Sequence, residues 1–184
     1  VRHEFTGERR YFDAAARVFE NGLLRAEEYY GNKGFFDIKW NQLKVWEVVR
    51  LIHPLIEMHR HSDDPRALSM LIRVLNFLRE SAYDGGYVDE EGRYMPLQLP
   101  YQWELEDNQL VARRWYIPYN FFTADGFAYA FAMTKEPVFL DWARRVYRDG
   151  VIFYQAPMHQ AVQADFYSPA SYSPRQYPDS ETKN

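Results

Sequence analysis

The stretch Thr6-Gly7-Glu8-Arg9-Arg10-Tyr11-Phe12-Asp13 returns as Ser62-Asp63-Asp64-Pro65-Arg66-Ala67-Leu68-Ser69, and again as Thr134-Lys135-Glu136-Pro137-Val138-Phe139-Leu140-Asp141. The copies begin 56 and then 72 residues apart and share one frame: Thr or Ser, any residue, an acid, Pro or Arg, two free positions, then an apolar residue. Each element of the frame has a physical role at a helix start. A hydroxyl can accept a backbone N–H as an N-cap, and an acid suits the exposed N–H groups of a first turn. Proline fits that turn because its missing N–H is not needed there. The apolar residue then drops onto the buried face. Each copy therefore reads as a tight turn between two helices, and the repeat unit as a helical hairpin that needs neighbours to bury a face.

Working outward, helices are expected over 11–30, 42–60, 65–83, 124–133 and 137–155. The second and fourth are apolar around most of their girth, so they should be buried on several sides. Pro54 should kink the second or end it early. The first, third and fifth are amphipathic, with Arg66, Arg73, Asn76 and Arg79 on the wet side of the third and Arg144, Arg145 and Arg148 on that of the fifth. The alternation describes an inner ring of buried helices and an outer ring of half-exposed ones. Gly85-Gly86-Tyr87-Val88 to Arg93-Tyr94 reads as a β-hairpin closed by a Glu91-Gly92 turn. The rest of 84–123 reads as a long ordered loop crowded with aromatics, a type usually kept for function. The tail from 157 to 184 is rich in Ser, Pro and Tyr and has no periodicity.

The first copy, Thr6-Gly7-Glu8-Arg9-Arg10-Tyr11-Phe12-Asp13-Ala14-Ala15, resembles the Thr-Gly-Asp-x-x-Tyr-Leu-x-x-Ala turn of (α/α) toroid carbohydrate enzymes, among them six-hairpin glycosidases and toroidal polysaccharide lyases. Ser62-Asp63-Asp64-Pro65 and Thr134-Lys135-Glu136-Pro137 are weaker versions. The resemblance implies an all-α fold of (α/α) toroid helical hairpins over 1–156, incomplete at about two and a half hairpins of six, with a β-hairpin insertion near 85–98. The first turn is preceded only by Val1–Phe5 where the others follow a full helix. The missing helix is therefore expected upstream, in the rest of a parent chain or in another subunit that completes the toroid.

The resemblance also implies a glycan substrate in a cleft at the end away from the tight turns, where the loops 31–41, 84–123 and 156–175 would gather. Aromatics are 18% of the chain, and many fall in those loops. Trp and Tyr suit sugars because they offer an apolar body with a polar tip. The substrate-binding candidates are Trp40, Asn41, Trp103, Arg113, Arg114 and Trp115, with the two arginines suited to an acidic sugar. The catalytic candidates are Tyr116, Tyr119, Asn120, Asp125 and His159. A lyase needs a Tyr or His to take the proton beside a uronate carboxylate, and Asn, Gln or Arg to neutralise that carboxylate. A hydrolase instead needs paired carboxylates, from Asp37, Asp107, Asp125 and Asp165. A non-catalytic scaffold or glycan-binding module is the third reading.

Other classes find less support. Net charge is −4, which gives no electrostatic footprint for nucleic acid. With no cysteine, thiol catalysis, cysteine-ligated zinc and disulfides are excluded, and either cytoplasm or an exported bacterial setting remains compatible. No apolar run approaches membrane-spanning length. His53, Glu57, His59 and His61 invite a metal reading, but Pro54 disturbs this segment and the cluster is expected at the tight-turn end, away from the cleft. No metal and no cofactor are expected.

Overall fold

The computed structural model describes residues 6–24, 42–82, 87–88, 94–95, 97, 99–107, 109–116 and 120–149. They are mostly helical with a small antiparallel sheet. In chain order they form α1 (Arg9–Val18), a π-helical turn (Phe19–Leu24), β1 (Gln42–Lys44), α2 (Val45–Val49), α3 (Ile52–Ser62), α4 (Pro65–Ser81), β2 (Tyr87–Val88), β3 (Tyr94–Met95), β4 (Leu99–Glu106), β5 (Gln109–Tyr116), α5 (Asn120–Thr134) and α6 (Pro137–Val146). The tail at 157–184 lies outside the described residues.

The three turns share one backbone conformation. The residue after each Thr or Ser is left-handed: Gly7 at φ 68°, Asp63 at 53° and Lys135 at 63°. The next residue is extended and is the true N-cap, Glu8, Asp64 or Glu136. The hydroxyl residue, expected to cap the following helix, instead finishes the preceding one. Ser62 Oγ donates to the Met58 carbonyl at 2.6 Å and accepts the Asp64 N–H at 3.2 Å. Thr134 Oγ1 repeats this with Ala130 at 2.9 Å and Glu136 at 3.2 Å. Thr6 Oγ1 accepts the Glu8 N–H at 3.2 Å. The left-handed residue closes the helix end, with Asp63 N–H on the His59 carbonyl and Lys135 N–H on that of Phe131. Asp64 also holds Arg66 through its backbone N–H and guanidinium, a bond that holds its carboxyl below the usual carboxylate range. Only the first copy places glycine at the left-handed position. Lys135→Gly should therefore raise stability by roughly 0.5–1 kcal/mol in chemical denaturation, and Asp63→Gly by less, because Asp tolerates this conformation better.

α3 with α4, and α5 with α6, form the two helical hairpins, and α4 packs on both α3 and α5. α3 and α5 run parallel, since His53 meets Asp125 near their starts and His59 meets Tyr129 further on. Ile52, Leu55, Leu71, Leu75, Phe127 and Phe139 are buried between them, each such side chain contributing about 1.5–3 kcal/mol. α1 and the π-helical turn pack at the turn end, Phe12 against the His61 ring and Glu20 on Arg66 at 3.2 Å.

The helix expected over 11–30 turns π-helical at Phe19, that expected over 124–133 begins earlier, at Asn120, and two further elements differ more. The helix expected over 42–60 opens as β1 and breaks at Arg50 and Leu51. Proline 54 has no N–H for the Arg50 carbonyl, so the ladder lapses there. Both residues nevertheless keep right-handed helical dihedrals, with φ and ψ of −64° and −18° at Arg50 and −76° and −23° at Leu51. The aromatic loop is partly a sheet. β4 pairs β5 from Leu99↔Tyr116 to Glu106↔Gln109, and β1 adds to β4 through Leu43↔Trp103. The two-residue connection begins at Asp107, whose φ of 47° suits a primed hairpin turn. The expected hairpin near 85–98 is present as β2 and β3. The fold is therefore not purely helical.

The sheet caps the end opposite the tight turns. Trp103 in β4 lies 4.7 Å from Phe77 near the far end of α4, and β4 also touches α2. A buried carboxylate ties α6 to the same end: Asp149, fully buried, accepts the Leu97 N–H at 3.0 Å.

Candidate functional site

α3 and α5 present their first turns at the sheet end, and there the structure brings together His53 and Asp125. His53 Nε2 stands 3.3 Å from Asp125 Oδ2, with the side chains 47% and 64% exposed. The pair is therefore open to solutes. The Phe122 ring packs edge-to-face with the imidazole, the two centroids 5.0 Å apart and the planes at 77°. One turn before His53, Arg50 is exposed. Arg50 carries no ion pair among the described residues.

Asp125 was expected at the site; His53 was considered only as a metal ligand at the tight-turn end, whereas it stands in the first turn of α3, at the opposite end. A signal for the pairing was present. His53 and Asp125 each stand nine residues before the Ser or Thr of their turn, so they hold equivalent places on successive hairpins.

The other histidines of α3 belong to the turn end. His59 Nδ1 meets the Tyr129 hydroxyl at 2.8 Å, and burial holds that phenol above its usual range. His61 lies 3.4 Å from Glu57, which also binds Arg60 at 2.9 Å. No group of three or more His, Cys, Asp or Glu able to hold a metal occurs among the described residues.

The remaining candidates scatter. Trp103 is completely buried, its indole between the sheet and α4, and offers no surface to a sugar. Arg113 is engaged by Glu104 at 3.7 Å and closely by Glu106, both on β4. Gln102, nearly buried, donates to Glu104 at 2.7 Å on the same side of the sheet. Arg114, Trp115 and Tyr116 lie on the last residues of β5, and Asn120 opens α5; their backbone places are described, their side chains are not. Trp40, Asn41, Tyr119 and His159 lie outside the described residues.

No family model matches the sequence, and neither the curated proteins nor the solved structures yield a match.

Proposed function

We propose that this chain is part of a carbohydrate-active enzyme built as an (α/α) toroid, with α3 and α5 as neighbouring inner helices and α4 and α6 as outer ones. The observation that carries the reading is the pairing of Asp125 with His53 across two parallel helices, at the end opposite three equivalent tight turns. A repeat architecture with one end closed by short turns leaves the other for a site. The glycan is the substrate and the remainder of the toroid the partner. In support, α5 is apolar along most of its length, yet Ala128, Ala132 and Met133 are exposed; a helix of that composition is normally covered on all sides.

The lyase reading leads, because a His with an acidic partner is a proton-transfer pair, whereas a hydrolase needs a second carboxylate across the bond. The inward packing of Trp103 favours the second reading, a toroidal scaffold that binds glycan without cleaving it. The test is to incubate the intact natural protein with uronate-containing and neutral polysaccharides, following chain length and binding together. Cleavage is expected on the uronate polymers. Retention without cleavage selects the scaffold, and neither binding nor cleavage refutes both.

A further inference from the structure

The three-stranded sheet runs in the order β1-β4-β5, so β5 is an edge, and a long one at 8 residues. We infer that β5 is a dimerisation edge, pairing antiparallel with β5 of a second copy about a two-fold axis at Ala112. The inference is independent of the carbohydrate reading.

The register decides which backbone groups are free. The two-residue turn makes Glu106 and Gln109 the closing pair of the hairpin, which exchange both N–H···O bonds. Strand alternation then points the N–H and C=O of Val111, Arg113 and Trp115 at β4, and those of Leu110, Ala112 and Arg114 away from it. Leu110 and Ala112 make no backbone hydrogen bond on that outer side among the described residues. Such a row is a template for another strand, which shortness, proline or a bulge would blunt. β5 has no proline or glycine, and its pairing with β4 runs without a bulge. Arg113, a charge that could guard the edge, is neutralised by Glu104 and Glu106.

A second copy is the occupant that the charges fit. Centred at Arg113 or Arg114, a two-fold axis would set that arginine opposite itself, and like charges directly opposite are destabilising. Centred at Val111 or nearer the turn, it would use only the first part of the strand. Centred at Ala112, the hydrogen-bonded pairs are Leu110 with Arg114 and Ala112 with its own copy. Val111 then stands opposite Arg113, and Gln109 opposite Trp115, so no like charges meet. On the inner face the half-buried Leu110 and Ala112, already packed against the core, continue across the seam. On the outer face Val111, opposite Glu104 in its own chain, comes beside the arginine of the other copy. The product is one six-stranded sheet, three strands from each copy, with the helices of both on the same face.

The test uses the intact protein in sedimentation velocity over a range of concentrations, where a monomer–dimer equilibrium is expected. Ala112→Pro removes an N–H that β4 does not use. By symmetry both bonds of the central pair are lost, so the dimer Kd should rise about 10-fold or more. Val111→Lys keeps Glu104 opposite it in its own chain but meets Arg113 of the other copy, and should weaken the dimer. Val111→Glu should not. Register is read by cross-linking, since the chain has no cysteine of its own. A mixture of Val111→Cys and Arg113→Cys proteins should form a disulfide-linked heterodimer on mild oxidation, because such a non-hydrogen-bonded pair lies about 4.5 Å apart at Cα. Neither protein alone should cross-link. A wild-type protein that stays monomeric at every concentration overturns the inference, whether β5 is left open or taken by another polypeptide. So does a dimer indifferent to Ala112→Pro and Val111→Lys in folded protein, or one that cross-links through either cysteine alone as readily as through the mixture. Each of these results leaves the carbohydrate reading untouched.

Discussion

Trp103→Ala should cost the protein about 3–5 kcal/mol of stability, the range for emptying a buried aromatic site, while leaving glycan retention unchanged in the fraction that stays folded. The indole is fully buried, stands opposite Leu43 on β1 and Ala112 on β5, and lies 4.7 Å from Phe77. Removing it empties the contact between the sheet and α4, and β1 loses the apolar neighbour that fixes its register. A domain of this size has about 5–15 kcal/mol to lose, so the variant should sit near the edge of folding. Trp103→Phe gives a second reading of the same site. The indole N–H has no acceptor among the described residues, and a buried donor without a partner costs about 1–3 kcal/mol. Phenylalanine removes that donor while keeping most of the ring, so it should cost less than half of what alanine does. Urea unfolding of the three proteins checks both statements. A Trp103→Ala protein of normal stability that no longer binds glycan would restore the stacking role and place the indole on the surface.

The turns were legible because their chemistry is local. A hydroxyl, a left-handed residue, an acidic cap and a proline act over four positions, and repetition at Thr6, Ser62 and Thr134 made the pattern readable even though the hydroxyl's role was assigned to the wrong helix. α4 was legible because its apolar spacing is regular and Pro65 marks its start, although it ends at Ser81 rather than at 83. The β4–β5 hairpin was missed although Tyr101-Gln102-Trp103-Glu104-Leu105-Glu106 alternates at the period of a strand. Its many aromatics suggested an exposed platform, and the alternation that turns Trp103 inward was passed over. The role of β1 depends on β4, whose paired residues run from Gln102 to Glu104, far beyond any window around Gln42–Lys44 that could have revealed it. The site divides in the same way. Asp125 was recognisable as a carboxylate at the start of an inner helix. His53 needed the repeat register to bring it alongside, and Arg113 could not be known as engaged until Glu104 and Glu106 were placed across the hairpin.

Gly126→Ala should destabilise the protein, although alanine is the better helix former by about 1 kcal/mol. A Cβ at this position would stand 2.8 Å from Ile52 Cγ2 and 2.9 Å from Leu75 Cδ2, both too close for real atoms. Leu75 presents the end of a flexible side chain and can turn away. Ile52 is branched at Cβ and held to one rotamer in its helix, so α3 itself must move. Overpacking of this kind costs about 1–3 kcal/mol, enough to cancel the propensity gain for alanine and, with two further methyl groups, to make Gly126→Val lose about 3 kcal/mol or more. A double-mutant cycle with Ile52→Ala isolates the contact. The cost of Gly126→Ala should shrink in that background by about 1 kcal/mol, a coupling normal for residues in contact. Additive effects, or a stabilised single mutant, would mean that α3 and α5 do not approach so closely. The same separation governs the chemistry proposed above, because Gly126 is the chain neighbour of Asp125 and Ile52 that of His53. Whatever pushes the two helices apart at the glycine must lengthen the His53–Asp125 contact. Gly126→Ala should therefore lower kcat in the part of the population that remains folded, in proportion to its loss of stability and without touching a group that meets the sugar.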